Sequence, residues 1–314
     1  MSAENGYWDR LTPEERRAVD QVEPFHPFKI TSEYSSLIDW SDPEDPLRRQ
    51  VVPSLLEMQR ASYESADPLE ERIFMKCPGL IHKYIGRALW TITQECPIHC
   101  RFCFRKWEKG VSNELSPKTV LQNLESVVRY LKGTPDISEI ILSGGDPLCL
   151  DRRLLDSVLE RLNAVRTLRH IRLHTRAPVV AWENEQVMKP PFIGSSVVTR
   201  IVLHINHPHE IQPKLNEYVR LMQSLNVPVL SQSVLLAGIN DDENTLYRLF
   251  SDLAAIRIQP YYLHQIDAAW GTSHFRVSDD KARLLVDKIR VRLPGYAVPK
   301  LVKDIPGSAA KTLL

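Results

Sequence analysis

Three cysteines, Cys96, Cys100 and Cys103, stand in the segment Glu95-Cys-Pro-Ile-His-Cys-Arg-Phe-Cys-Phe-Arg105, with three residues between the first two thiols and two between the last two. Thiolates so spaced on one loop can reach three corners of an iron–sulfur cube and leave the fourth iron open, whereas a four-cysteine electron-transfer cluster is closed. An open iron can chelate a substrate or cofactor, so the spacing points to chemistry at the cluster. Two other readings are a zinc site short of one ligand and a chance grouping. His99 could complete a zinc tetrahedron, but it sits inside the loop between two thiols. Cys77 and Cys149 are isolated and read as small buried or half-buried residues.

The thiols follow a short apolar run, ALWTIT, and from Ala88 onward such runs alternate with amphipathic stretches. ALWTIT is followed by 117–131, SEIILSG by 152–165, and HIRLHT leads to RIVLHI and then 211–225; VPVLSQSVLL precedes 244–254, and IQPYYLH comes last. Strands alternating with helices of this length predict βαβ units on a parallel sheet. About six units fit either an incomplete barrel or a doubly wound sheet, and in both the chemistry gathers at the carboxyl ends of the strands. A final helix is expected over 279–293 with Ser278 as its N-cap. Residues 1–80 are rich in Pro and charge, with helical patches at 13–22 and 53–63, and read as an irregular helical collar. The expected division is therefore a collar (1–80), an α/β body (81–294) and a short Pro/Gly-marked tail (295–314).

The chain of 314 residues carries 40 Lys+Arg against 39 Asp+Glu, a formal charge of +1, so no overall field recruits nucleic acid or an anionic membrane. With 43% hydrophobic and 25% charged residues it has ordinary globular composition. Neither a signal peptide nor a run of about 20 apolar residues is visible, so a cytoplasmic location is expected. Thiols stay reduced there, so five cysteines suggest metal or redox chemistry rather than disulfides.

The loop, with Phe102 between its last two thiols, matches the radical S-adenosylmethionine (SAM) signature, and longer strings resemble one family of that superfamily, the lysine 2,3-aminomutases. They include PGLIHKYIGRAL, CRFCFR, ILSGGDPL, HTRAPVV, HINHPHEI, QSVLLAGIND, PYYLHQID, HFRVSDDKAR and GYAVPKLVKDIPGSAAK, so the resemblance runs from about Ile30 to Lys311. It implies an incomplete (β/α)6 radical SAM barrel with the helical collar at its N-terminus and a short C-terminal segment carrying a pyridoxal phosphate (PLP) lysine. It also implies an isomerase that interconverts L-α-lysine and β-lysine by migration of an amino group. The implied cofactors are a [4Fe–4S] cluster on Cys96, Cys100 and Cys103, SAM and PLP. The implied partners are L-lysine and a reductant protein such as flavodoxin or ferredoxin, with no nucleic acid or membrane. The compact length resembles the short members that supply β-lysine for elongation factor P rather than the longer ones with a zinc-binding, dimer-forming extension.

The resemblance assigns further residues one by one. Ser143, Gly144, Gly145 and Asp146 match the motif that receives the SAM amino group, although Gly-Gly-Asp-Pro alone is simply a good turn. Lys311 matches the PLP lysine, with Ser308, Ala309 and Ala310 where the long enzymes have glycines; without the resemblance it would be a solvated tail residue. Arg87 matches the arginine on the PLP phosphate, a task suited to a guanidinium fork, and is otherwise a surface arginine in the loop before the first strand. His204 and Gln232 match residues lining the SAM and PLP pocket, or are satisfied polar groups near the core. Arg105 matches the arginine on the substrate carboxylate. Asp267 and Asp304 match paired acids on the far ammonium of lysine, and two acids suit a buried cation. Asp267 could otherwise cap a loop and Asp304 pair with Lys300 or Lys303. Arginine or ornithine as substrate, a PLP-independent radical SAM enzyme and a non-catalytic iron–sulfur protein are the alternatives.

Overall fold

Residues along Val229–Leu235 alternate buried and half-buried without a break, the period-two signature of a strand with one face in a core and the other on a cavity. The strand belongs to a single sheet in the computed structural model, which describes residues 5–109 and 115–314; residues 1–4 of the expected collar lie outside the described residues. Among the described residues ten strands pair in chain order: β1 (Met75–Cys77), β2 (Leu80–Tyr84), β3 (Arg87–Thr93), β4 (Glu139–Gly144), β5 (His170–Thr175), β6 (Val198–His204), β7 (Val229–Leu235), β8 (Gln259–Gln265), β9 (Lys300–Lys303) and β10 (Thr312–Leu313). From β3 to β9 every pairing is parallel, whereas β1, β2 and β10 are antiparallel edges.

Parallel neighbours need a crossover that returns the chain to the same end. The helices Pro117–Gly133, Arg152–Asn163, Pro213–Ser224, Glu243–Ala255 and Asp279–Arg292 supply five of these. In the first, Val120, Leu124, Val127, Val128 and Leu131 are buried, a helical stripe laid against the sheet. Its N-terminus is fixed by the Ser116 side chain accepting from the Thr119 amide, and that of Arg152–Asn163 by Asp151 accepting from Arg153 and Leu154; each such cap contributes about 1 kcal/mol. Ser278 caps Asp279–Arg292 as expected, by accepting from the Lys281 amide. The β5–β6 crossing has only the short turns Ala177–Val180 and Glu185–Met188, and the first of these is wholly buried.

The sequence reading differs from the structure in three places. Two strands, β1 and β2, lie at 75–84, across the expected boundary at 80 between the irregular collar and the α/β body; they form an antiparallel hairpin onto β3. Arg87 is therefore the first residue of a strand rather than a loop residue. The tail also carries strands, and the β9–β10 hairpin extends the same sheet beyond β8. Within the collar, the helix over Pro13–Val22 forms, with a reciprocal Thr12–Glu15 cap. The stretch 53–63 gives only one tight turn, Leu55–Met58.

Candidate active site

Side chains at the carboxyl ends of β4 to β8 face one cavity of about 300 Å³, and all fourteen residues singled out from the sequence line it. Residues 224 positions apart in the chain, Arg87 and Lys311, thus share one wall system. His204 and Gln232 are register partners across β6 and β7, and both are half-buried. Cys77 and Cys149 are half-buried free thiols.

The cysteine loop is shaped by its two spacer residues. Phe102 turns inward, 5% exposed, and packs with Leu236, Ile239 and Phe275. Arg101 turns outward and is fully buried against the collar. Its Nε and Nη2 donate to the Glu57 carboxylate at 2.9 and 2.7 Å, and its Nη1 donates to the His26 carbonyl at 3.0 Å. Lys106 Nζ also donates to Glu57, at 3.1 Å, and to the Gly271 carbonyl at 3.0 Å. Burial raises the Glu57 pKa, but the two cations more than reverse this and hold the carboxyl below its usual range. Main-chain bonds add to the clamp: the His99 amide donates to the Lys29 carbonyl and the Arg101 amide to that of Gln50. The collar is thus the outer wall of the thiol loop.

The Ser143-Gly144-Gly145-Asp146 turn brings the end of β4 against the start of the same loop. The amides of Gly145 and Asp146 donate to the carbonyls of Thr93 and Glu95, each at 2.6 Å. A Cβ on Gly145 would lie 2.2 Å from the Glu95 oxygen, and Gly144 has φ +102°, so glycine is required at both positions. The Asp146 carboxylate, whose residue also lines the cavity, is held by four donors. It accepts from the Leu148 amide, the Thr175 hydroxyl, and the amides of Arg176 and Ala177, at 2.7–3.0 Å. Four donors use the lone-pair sites of a carboxylate, so Asp146 ties β4 to the end of β5. The sequence signal for this was present, since Asp before Pro favours a turn cap.

Around Lys311 the charges are close and paired. Its Nζ binds the Asp304 carboxylate, which also accepts from the Tyr84 hydroxyl at 2.8 Å. Burial opposes ionisation of Asp304, but the Lys311 ammonium and these hydrogen bonds prevail and hold it below the usual carboxylate range. Lys303, a possible surface partner of Asp304, binds Asp279 instead at 2.9 Å. Burial, and then the neighbouring Asp304 carboxylate, push Asp267 up to about 7. Arg105 pairs with Glu71, a residue not singled out from the sequence, and lies 4.7 Å over the Phe104 ring. Arg87 lies 4.6 Å over the Tyr84 ring.

Three histidines complete the wall. Burial, and then the Arg176 charge, hold His204 down at about 3; burial and then Lys311 do the same to His264. His174 is pushed well below its usual value, first by burial. All three are neutral at physiological pH, and His174 Nε2 is buried without a hydrogen-bond partner among the described residues. His174 and His264 were not singled out from the sequence. The signal for them was position, because each lies in the last two residues of a strand whose partners face the cavity.

An α/β sheet with an open edge at each end, three thiols on the loop after its first parallel strand and a cavity at the strand ends define a radical SAM protein, and the radical SAM superfamily model matches residues 90–250. SuiB of Streptococcus suis, solved bound to SAM, has a similar fold with a TM-score of 0.51 at 12% identity, covering 72% of this chain and 52% of that one. The L-lysine 2,3-aminomutase of Acetoanaerobium sticklandii is 35% identical over 305 residues, which cover 96% of this chain and 72% of that protein. That of Escherichia coli is 35% identical over 287 residues, covering 91% and 82%. The chain belongs to the L-lysine 2,3-aminomutase family of radical SAM proteins.

Proposed function

We propose that this protein interconverts L-α-lysine and β-lysine by moving an amino group between C2 and C3. The observation that carries the reading is the Lys311–Asp304 pair. In this structure a primary ammonium on a four-carbon stem is held by Asp304 inside the cavity, with Asp267 interacting with both. That ammonium has the chemistry of the far end of a lysine substrate. Once Lys311 is engaged by PLP, Asp304 loses its cation, and the two acids are left to balance an incoming one. A buried cation needs such compensation.

The donor set fits the cofactors of the family. Three thiols on one loop suit a cluster with an open iron, a lysine amine suits a Schiff-base cofactor, and the unpartnered His174 Nε2 leaves a polar group for a ligand. When bound, the [4Fe–4S] cluster and SAM supply an organic radical, and PLP carries the migrating nitrogen. The protein binds and shields. Cys96, Cys100 and Cys103 hold the cluster. Ser143 and the backbone of Gly144 and Gly145 face SAM, with His204 and Gln232 beside them. Arg87 holds the PLP phosphate, and Arg105 turns from Glu71 to the substrate carboxylate. Apolar walls from Ile81, Leu89, Phe102, Phe104, Ile141 and Val234 keep water from a radical. A one-electron protein donor such as flavodoxin or ferredoxin supplies the reducing equivalent. A reducing cytoplasm suits the thiol chemistry; among the described residues no helix is long and apolar enough to cross a membrane.

The test is anaerobic incubation of reconstituted protein with SAM, PLP, dithionite and L-lysine. β-Lysine is the expected product. Unchanged lysine while SAM is cleaved refutes the substrate, and turnover of arginine or ornithine in its place redefines it. Full activity in protein stripped of PLP refutes the PLP role.

A further inference from the structure

The string HTRAPVV places a cation beside the thiols that the reaction above does not use. Arg176 follows β5 and is 6% exposed. Its Nη1 donates to Cys100 Sγ at 2.8 Å. Its Nη2 donates to the Glu210 carboxylate, to Gln50 Oε1 at 2.7 Å and to the Tyr34 hydroxyl at 3.2 Å. The guanidinium carbon lies 5.5 Å from the centres of both the Tyr34 and Phe102 rings. Glu210 is itself fixed, fully buried, by the amides of Asn206 and His207 at 2.6 and 2.9 Å and by the Tyr34 hydroxyl at 2.9 Å. A guanidinium whose Nη2 is held by a carboxylate, an amide and a phenol has its Nη1 aimed at a sulfur.

Hydrogen bonds to the sulfurs, net charge and solvent exposure set the potential of an iron–sulfur cluster. One-electron reduction adds negative charge that the thiolate sulfurs share, so a cationic N–H···S bond is stronger in the reduced state. It therefore favours reduction. Glu210, buried beside the same guanidinium, offsets part of that charge.

We propose that Arg176 is a positioning residue that hydrogen-bonds the Cys100 sulfur and raises the midpoint potential of the cluster, with Glu210 fixing its aim and tempering its charge. The proposal rests on the cluster assignment above. The electron comes from an external low-potential one-electron reductant, and no proton need move.

The experiment is a redox titration of reconstituted protein, without SAM or lysine, followed by the electron paramagnetic resonance of the reduced cluster. Arg176→Gln is expected to make reduction about tenfold less favourable, a shift of about 59 mV to more negative potential for a one-electron couple. Arg176→Lys, which keeps the charge, restores part of the shift, and Glu210→Gln moves the potential the opposite way. A purely structural role would not reverse sign between the two sites. An unchanged midpoint in Arg176→Gln with its full iron content overturns the proposal. If Arg176→Gln holds no cluster, Glu210→Gln decides: a positive shift supports the proposal, and none overturns it. Failure of the parent protein to assemble a [4Fe–4S] cluster is a separate result, against the cluster assignment itself.

Discussion

Replacing Glu57 by glutamine removes one carboxylate charge and leaves every neighbouring atom nearly in place. In the parent, that carboxylate accepts three hydrogen bonds from two cations, at 2.7, 2.9 and 3.1 Å. Arg101 and Lys106 are 0% and 2% exposed, so neither can turn to water when the charge is gone. Breaking a buried ion pair by removing one partner costs about 3–5 kcal/mol. At about 2 °C of melting temperature per kcal/mol for a chain of this size, the melting point should fall by about 6–10 °C. Because Arg101 lies between two of the thiols, iron retained per chain after anaerobic reconstitution should fall with it. The pH dependence has a definite sign. The Glu57 pKa is depressed from 4.5, so its contribution is complete above that pH and is lost as the pH drops through the folded value. Glu57→Gln should thus narrow its deficit against the parent only in acid. A melting point within 2 °C of the parent, with full cluster content, would refute the idea that the collar clamps the loop through this charge.

Two further outcomes follow from the site. Gly145→Ala forces a Cβ to within 2.2 Å of the Glu95 oxygen, whereas the same change at Gly295 meets nothing within 4 Å; the first should cost about 1–3 kcal/mol in denaturant unfolding and release iron, the second neither. Asp267, held up at about 7, is neutral below that pH, so kcat/KM for L-lysine should fall as the pH drops through 7, and Asp267→Asn should flatten that profile while raising KM; an unaltered profile would remove Asp267 from the substrate site. The same raised value, against 3.8 in the unfolded chain, contributes stability that is present below pH 3.8 and is lost as the pH rises through about 7.

The body of the fold was legible because its physics is local. Apolar runs and amphipathic stretches alternate from Ala88 onward, and caps such as Ser278 mark their ends. The candidate residues were legible through the family's uncommon strings, and they converge on one cavity. What escaped depended on distant partners. The hairpin of β1 and β2 contains Lys76, His82 and Lys83, poor strand signals whose pairing is set by the long strand β3 beside it. The stretch 53–63 has helical periodicity, yet it stops after one turn because Glu57 is drawn into the buried charges of Arg101 and Lys106. Asp146 matches the family's motif by type, and only the positions of Thr175, Arg176 and Ala177 show that it also braces β4 against the end of β5.

The two residues between Cys100 and Cys103 face opposite ways: Phe102 is seated in the barrel with Phe275, and Arg101 is seated in the collar with Glu57. The loop is therefore riveted through its own thickness to two separate parts of the molecule. Grafting the ten-odd residues of the cysteine segment onto another scaffold would transplant the ligands without the rivet. A designer seeking a portable cluster would have to carry the collar from His26 to Glu57 along with it.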